Sequence, residues 1–430
     1  MLQLIKARLD AILQHSFFRK NLFTLVARLA GLGMQLGYFI LLARSLKIEE
    51  YGLFIGIAAM ASLLISFAGF GSGDLLVKNV SRDRELFRDY WGNALLTTLI
   101  ASSILIVACL IVAHTFFAVH TSVLTIFLIL LSDILCLTLW NLCGHAFAAL
   151  DLLYKVAQLD IVYSSGKLVA AVVLSLQVWP PTIDTWAWLY CSSSVVTAII
   201  SIVSVIHAAG RPTLKPDLIL HNLKEGIYFS LSYSAEKING DIDKSMLASM
   251  ATLEATGLYA AGSRFLTAAY TPLQVLFGNC YMRYFKYGHE GIRGSFSFGK
   301  RLLPAVLAYG LLTTTGFAFL AQLVPYVLGE SYRNTVMVLH WLSPYILILG
   351  VQAIAADTLT GAGFQSLRSS VNVGAALINI GFNLWLIPLY SWRGAIWATL
   401  ISDGSKLIVL WLIVWALSRQ QQRYAPESST

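Results

Sequence analysis

Charge is what this sequence is short of. Only 12% of its 430 residues are Asp, Glu, Lys or Arg, about half the roughly 25% share of an ordinary soluble domain. So few charges cannot cover a water-soluble protein of this size, which argues against a cytosolic enzyme. Cysteine is sparse as well. Cys109, Cys136, Cys143, Cys191 and Cys280 are scattered through apolar stretches with no C-x-x-C pair, so neither a disulfide framework nor a zinc site is expected. The eight histidines show no H-E-x-x-H or other metal-like spacing, and neither a metal nor a cofactor is expected. The first twenty residues do not read as a cleaved signal: Leu2, Ile5, Leu9, Ile12 and Phe17 recur near helical spacing among Lys6, Arg8, Arg19 and Lys20. That pattern predicts an amphipathic segment lying on the membrane surface.

What the chain has instead is apolar residues, 57% of the total, with a mean hydropathy of +0.71. At about 20 residues per crossing this suffices for roughly twelve spans. Hydropathy places them near 22–43, 52–77, 90–113, 121–149, 156–178, 183–207, 226–249, 256–280, 302–325, 334–358, 370–388 and 393–417. The expected fold is therefore all-α and polytopic, with twelve transmembrane helices in two pseudo-symmetric six-helix lobes. The expected division is an interfacial segment over 1–20, an N-lobe over 21–210, a C-lobe over 211–418 and a tail over 419–430.

Cations sort by side. The two termini and the loops after even-numbered spans hold 20 Lys and Arg, whereas the loops after odd-numbered spans hold four. In short loops that asymmetry puts the cation-rich side in the cytoplasm, so both termini are expected there, in a multi-pass protein surrounded by membrane lipids. The net charge of +8 is then mostly a topology signal. A nucleic-acid partner is not expected, because the chain lacks a soluble basic face.

Six cations remain inside the spans: Arg28, Lys167, Lys237, Lys244, Arg264 and Lys406. Each costs about 2.5–3.5 kcal/mol at a helix centre on insertion scales, and such residues face a partner or a watery cavity. The carboxylates Asp133, Glu236, Asp241, Asp243 and Asp403 lie in spans too, with Asp74, Asp160 and Asp357 nearer span ends. Asp241 stands four residues after Lys237 and three before Lys244, so these can neutralise one another or form a site. Asp403 and Lys406, one turn apart, leave the same two readings. Arg28, Lys167 and Arg264 have no carboxylate within a turn and point to a cationic cavity. Asp133 is either a proton or cation site or a partner for one of those cations. A cavity lined by Arg and Lys suits a strongly anionic cargo such as phosphate or pyrophosphate, whereas an exporter of lipophilic cations should show bare carboxylates.

Repetition supports two halves. Span 2 opens with Glu50-Tyr51-Gly52-Leu53-Phe54 and span 8 with Ala255-Thr256-Gly257-Leu258-Tyr259; Gly52 and Gly257 are 205 residues apart, as are Lys78 and Arg283. Six spans separate the copies, so both halves share one orientation about an axis along the membrane normal.

At these residues the chain resembles bacterial polysaccharide flippases of the Wzx type. The stretch Asn21 to Leu42, then Ala43-Arg44-Ser45-Leu46 and Glu49-Glu50-Tyr51-Gly52-Leu53-Phe54, is similar to the family's opening. So are Asp243-Lys244-Ser245-Met246-Leu247 and Gly257-Leu258-Tyr259-Ala260-Ala261-Gly262-Ser263-Arg264. Asn379, Asn383-Leu384-Trp385-Leu386-Ile387-Pro388 and Gly394-Ala395-Ile396-Trp397-Ala398-Thr399 resemble its N…NLxLIP…GAAxAT stretch. Trp397 stands where the family has a small residue, and Trp392-Arg393 replaces its usual turn. The resemblance implies membership of the MOP exporter superfamily, with two six-helix lobes around a V-shaped lumen. It further implies a cargo of undecaprenyl-pyrophosphate-linked repeat units moved outward across a bacterial inner membrane by ion-coupled alternating access. By the same resemblance, Arg28, Lys167, Lys237 and Arg264 form a cationic substrate lumen. Asp133, Asp241, Asp403 and Lys406 serve coupling to H+ or Na+ or charge balance, and a polymerase and chain-length regulator are partners.

Other readings are weaker. Asp241-Ile242-Asp243 is a D-x-D without a nucleotide-binding domain, and Gly69-Phe70-Gly71-Ser72-Gly73 has no preceding strand or Gly-Lys-Ser/Thr, so it reads as close packing or a hinge. Tyr90, Trp91, Trp179, Trp186, Trp188 and Trp392 near span ends suit an interfacial belt. A drug or metabolite exporter of the same superfamily is the alternative function. A membrane-embedded polymerase or ligase is a more distant one, and the short outer loops leave little room for its catalytic groups. For the topology, a periplasm-dependent reporter fused after residue 220 should stay silent and one fused near 253 should be active; the reverse pattern would invert the whole orientation.

Overall fold

The computed structural model describes residues 16–215, 227, 230, 234, 237, 238, 240–289 and 291–424, without the side chains of 16–29 and 422–424. Residues 1–15 of the expected interfacial segment and part of the first half of the seventh span, Glu236 included, therefore lie outside the described residues. Among those residues no strand occurs. The helices are α1 (Ser16–Ser45), α2 (Ile48–Ala68), α3 (Ser72–Val80), α4 (Phe87–Phe117), α5 (Val123–Ala149), α6 (Leu153–Ser175), α7 (Ile183–Ala209) and α8 (240–250). They continue as α9 (Leu253–Gly288), α10 (Ile292–Leu320), α11 (Thr335–Leu342), α12 (Tyr345–Gly361), α13 (Gln365–Tyr390) and α14 (Trp392–Tyr424).

Eight described helices are long and apolar enough to cross a membrane, and the bent pair α11–α12 makes a ninth. The helices α1 and α9, with 30 and 36 residues, exceed the length that a crossing needs, and α8 carries the described end of the seventh span. The architecture is thus the expected all-α, twelve-span one. Surfaces agree: Ile100, Ile104, Val107 and Ile111 form an exposed stripe along α4, and Ile408, Leu412 and Trp415 another along α14. Apolar residues on the outside at helical spacing are what a hydrocarbon solvent requires.

Several boundaries differ from the hydropathy reading, each for a backbone reason. The second span, expected over 52–77, breaks after Ala68 because Phe70 (φ 44°) and Gly71 (φ 63°) are left-handed, and α3 resumes at Ser72. The tenth span begins near Glu330 and bends by 41° between α11 and α12, where Pro344 caps α12 and cannot extend the preceding helix. The last helix runs through the expected tail to Tyr424. Two of the belt tryptophans, Trp91 and Trp186, are fully buried, whereas Trp179 and Trp188 are exposed. Trp91 packs with Leu76, Phe87, Leu142, Phe147 and Leu159 in one apolar cluster.

By contacts the chain divides into two compact units, Met1–Lys47 with Met60–Ser234, and Ile48–Ala59 with Ala235–Thr430. In the first unit residues 211–215 are fastened onto α4. Thr213 N–H donates to the Arg88 carbonyl at 3.1 Å, Asn93 exchanges two 3.0 Å hydrogen bonds with the Lys215 backbone, and Lys215 pairs with Asp89 at 2.5 Å. Within this unit α1 lies along α6, and α5 packs against α4 and α7.

In the second unit the first turns of α2 cross α9 at the two glycines of the sequence repeat. A Cβ on Gly52 would fall 1.9 Å from the Leu253 carbonyl oxygen, and one on Gly257 would fall 2.5 Å from that of Ile48. Hydrophobic transfer contributes nothing between helices in lipid, so this backbone-to-backbone approach is what holds them. Replacing Gly52 or Gly257 by Val should force the helices apart at a cost of about 1–3 kcal/mol, seen as a lowered melting temperature in detergent. Gly381→Ala, where an added Cβ meets nothing within 4 Å, should leave melting unchanged; equal melting of all three variants would refute the tight crossing.

Candidate functional site

In the first unit three of the polar residues singled out from the sequence fall on α1, α5 and α6. Arg28 is a backbone position of α1 whose side chain is outside the described residues. Asp133 sits in a π-helical turn, Leu131–Cys136, inserted in α5. One extra residue per turn there re-aims the side chain, a common device at functional positions. Asp133 is 8% exposed, and the hydroxyl of Tyr190 on α7 donates to its Oδ1 at 2.5 Å. Lys167 Nζ on α6 in turn donates to the Tyr190 oxygen at 2.8 Å.

The ammonium of Lys167 also lies 4.4 Å from the Tyr163 ring centre and 4.5 Å from that of Tyr190. Cation–π attraction is strong where water is excluded. Tyr163 is itself stacked on Trp140 at 4.5 Å, and Trp186 lies between Tyr38 and Tyr190. So Lys167 and Asp133, which are distant in sequence, belong to one hydrogen-bonded chain of cation, phenol and carboxylate across α6, α7 and α5. Sequence reasoning missed Tyr190, the link. Its signal was a tyrosine in the interior of an apolar helix, where its hydroxyl needs a partner.

In the second unit the Asp241-Ile242-Asp243 pair splits between two partners. Lys244 Nζ binds Asp241 at 2.6 Å and the Gly240 carbonyl at 3.0 Å. The Tyr259 hydroxyl on α9 donates instead to Asp243, which also accepts the Lys244 backbone N–H at 2.8 Å. Thr399 on α14 stands 3.5 Å from the same phenol oxygen. Asp243 is buried, and its structural weight was not apparent from spacing alone. Lys237 is exposed.

Arg264 lies one helical turn or so beyond Tyr259 on α9 and is exposed, with its guanidinium beside the Tyr51 hydroxyl of α2 and close enough to Lys244 to repel it. Tyr51 meets Tyr332 edge-on at 6.2 Å.

Deeper in α14, Asp403 is 6% exposed and accepts the Tyr345 hydroxyl at 2.7 Å and the Gln352 amide at 3.3 Å, both from α12. Lys406 is half-buried one turn further on. Asn383 and Asn379 of the family-like stretch are buried on α13 and bonded to each other at 2.8 Å. Gly394 of the same stretch lets α14 start against α13, since a Cβ there would fall 2.2 Å from the Leu386 carbonyl oxygen. Among the described residues no group of three His, Cys, Asp or Glu is placed to hold a metal ion, and the five cysteines are buried and unbridged.

Chemically, the arrangement offers two kinds of group. Buried carboxylates held by phenols can exchange a proton or a cation, while exposed Arg264 and Lys237 within span helices can receive an anion.

Solved structures share this fold. A lipid II flippase, MurJ, in an inward closed conformation superposes with a TM-score of 0.74 at 14% identity, over 92% of this chain and 87% of the other. An inward-facing multidrug resistance MATE transporter of the MOP superfamily gives 0.69 at 13% identity, over 92% and 96%. A MOP superfamily transporter from Pyrococcus furiosus, described as having a binding pocket of reversed polarity, gives 0.63 at 13% identity, over 93% and 96%. At these identities the likeness is one of fold. No curated protein matches the chain by sequence. Residues 17–278 match the sequence model described as polysaccharide biosynthesis protein, and with more than half its length matched the chain belongs to that family.

Proposed function

We propose that the protein is a flippase that carries undecaprenyl-pyrophosphate-linked oligosaccharide repeat units, of O-antigen or capsule type, across a bacterial inner membrane. The observation that carries this reading is the placement of Arg264. An exposed guanidinium within a span helix faces lipid at high cost or else an aqueous path, and in an aqueous path it suits a pyrophosphate, which accepts two parallel hydrogen bonds from an arginine fork. Lys167, Lys237 and Arg28 add cations in other spans. Membership of a polysaccharide biosynthesis family supports a glycan as the rest of the cargo. A MATE-like exporter of lipophilic cations is the second reading. It is less favoured because Asp133, Asp243 and Asp403 are each occupied by a tyrosine hydroxyl, and Asp241 by Lys244.

Turnover in this scheme is alternating access driven by H+ or Na+, with no covalent chemistry. Asp133, Asp241, Asp403 and Lys406 are the candidates for coupling or charge balance. Protonating Asp133 would weaken its hold on the Tyr190–Lys167 chain and free the ammonium for an incoming anion. A polymerase and a chain-length regulator would receive the flipped product.

Ala at Arg264, Lys237, Lys167 or Arg28 should abolish surface polysaccharide and trap lipid-linked oligosaccharide on the cytoplasmic leaflet, with the protein still present in the membrane. Arg264→Lys should recover little activity if the bidentate fork matters. Normal polysaccharide in all four alanine variants would sink the cationic path.

The chain through Tyr190 has its own test. Tyr190→Phe removes one hydroxyl while keeping the ring that Lys167 lies over. Transport driven by an imposed pH or sodium gradient in proteoliposomes should fall about tenfold or more, the worth of a hydrogen bond to a charged group, while folding and membrane insertion persist. Unchanged gradient-driven transport in both Tyr190→Phe and Asp133→Asn would leave that chain a packing device only.

A further inference from the structure

A pocket of about 400 Å3 opens at the end of α10, bordered by Gln322, Tyr326, Glu330, Arg333, Asn334 and His340 over an apolar floor. It lies wholly within the second unit. The backbone builds it deliberately. The short helix Val324–Leu328 ends at Gly329 (φ 110°), and a 3₁₀ turn, Glu330–Tyr332, carries the chain into α11. Tyr332 is buried beneath that turn while Tyr326 is 78% exposed. Asn334 occupies the N-cap position of α11 but makes no side-chain cap bond, so its amide is not committed to its own helix. His340 uses Nε2 against the Ala318 carbonyl at 3.2 Å, leaving its other ring nitrogen.

The charges on the rim cancel. Arg333 and Glu330 form an ion pair at 3.1 Å, both about three-quarters exposed. A pocket with a matched pair does not select an anion, which separates it from a phosphate site. It offers instead a carboxylate acceptor, guanidinium and amide donors, amide oxygens and a phenol ring in the lining of one pocket. Neighbouring sugar hydroxyls each donate and accept, and the C–H face of a pyranose packs on an aromatic ring. The volume is in the range of small-ligand sites. The turn falls between spans 9 and 10, on the cation-poor side that the charge count puts outside the cell.

We propose that this pocket is a glycan-binding site on the outer face, which holds a neutral sugar of the repeat unit as it leaves the transport path. It rests on the flippase reading for the origin of the sugar but not for its recognition. The probe is the free oligosaccharide released by mild acid from the producing cell's undecaprenyl-linked pool, titrated calorimetrically into the purified full chain in detergent. Phosphatidylethanolamine micelles serve as a competing arm. The native chain should bind the glycan, and Tyr326→Ala and Glu330→Gln should each weaken binding about tenfold, the scale of one aromatic or charge-assisted contact, at unchanged melting temperature. Absence of binding to the native chain, equal binding by both variants, or displacement of the glycan by the phospholipid would overturn the proposal. Should Ala at Arg264, Lys237, Lys167 and Arg28 all retain full polysaccharide while Tyr326→Ala loses the free glycan, the flippase reading fails and the pocket stands.

Discussion

A carboxylate inside a bilayer-spanning helix has no water to solvate it, and the polar interior of both units is arranged around that constraint. Leaving one such charge uncompensated costs several kcal/mol. Asp241 and Asp357 meet cations, Lys244 and Arg368, but for three others the chain supplies a tyrosine hydroxyl. Tyr190 serves Asp133, Tyr259 serves Asp243 and Tyr345 serves Asp403. A phenol brings a strong hydrogen-bond donor on a largely apolar body, so it can occupy the middle of a span without adding a second charge that needs its own partner. Where a cation does close the circuit, as Lys167 does through Tyr190, two aromatic faces carry part of its charge.

The two units reach this solution in complementary ways. In the first, the carboxylate is on the fourth span and the phenol on the sixth. In the second, the phenol Tyr345 is on the tenth span and the carboxylate Asp403 on the twelfth. Tenth and twelfth are the counterparts of fourth and sixth under the six-span repeat, so the same pair of helices is tied in each unit with donor and acceptor exchanged. Helix pairs that must stay in register in lipid are fixed by packing and polar links, and a carboxylate–phenol bond is a link that protonation can loosen.

Much of the fold was legible in residue runs. Hydropathy finds a span because about 20 apolar residues in a row have no other stable environment, and the repeat at Gly52 and Gly257 marked a real contact, since each glycine admits the other helix's backbone. What hydropathy does not carry is backbone geometry. The break at Phe70-Gly71 and the bend at Pro344 lie inside apolar stretches that read as continuous. The site was half legible. Charged residues in spans stand out because they are costly, and Asp133 with Lys167 proved to share one hydrogen-bonded chain. Their partners were invisible because tyrosine is common in apolar helices and a pairing 57 residues away, as between Asp133 and Tyr190, leaves no local spacing. Trp91 and Trp186 show the converse, being placed like belt residues in sequence yet packed in the core.

These differences in compensation also rank the cations as carriers of function. Lys244 is bound to Asp241, and its removal would strand a carboxylate. Lys167 is bound through Tyr190, so its substitution disturbs a buried chain as well as any cargo contact. Arg264 is different: it is exposed, and its near neighbours include the Tyr51 hydroxyl and a repelling Lys244. A guanidinium beside another cation gains from an arriving anion, because the anion relieves that repulsion. Exposed positive charge thus stands on α9 beside Lys244 of α8, and in the flippase reading that is where an anionic headgroup would meet it.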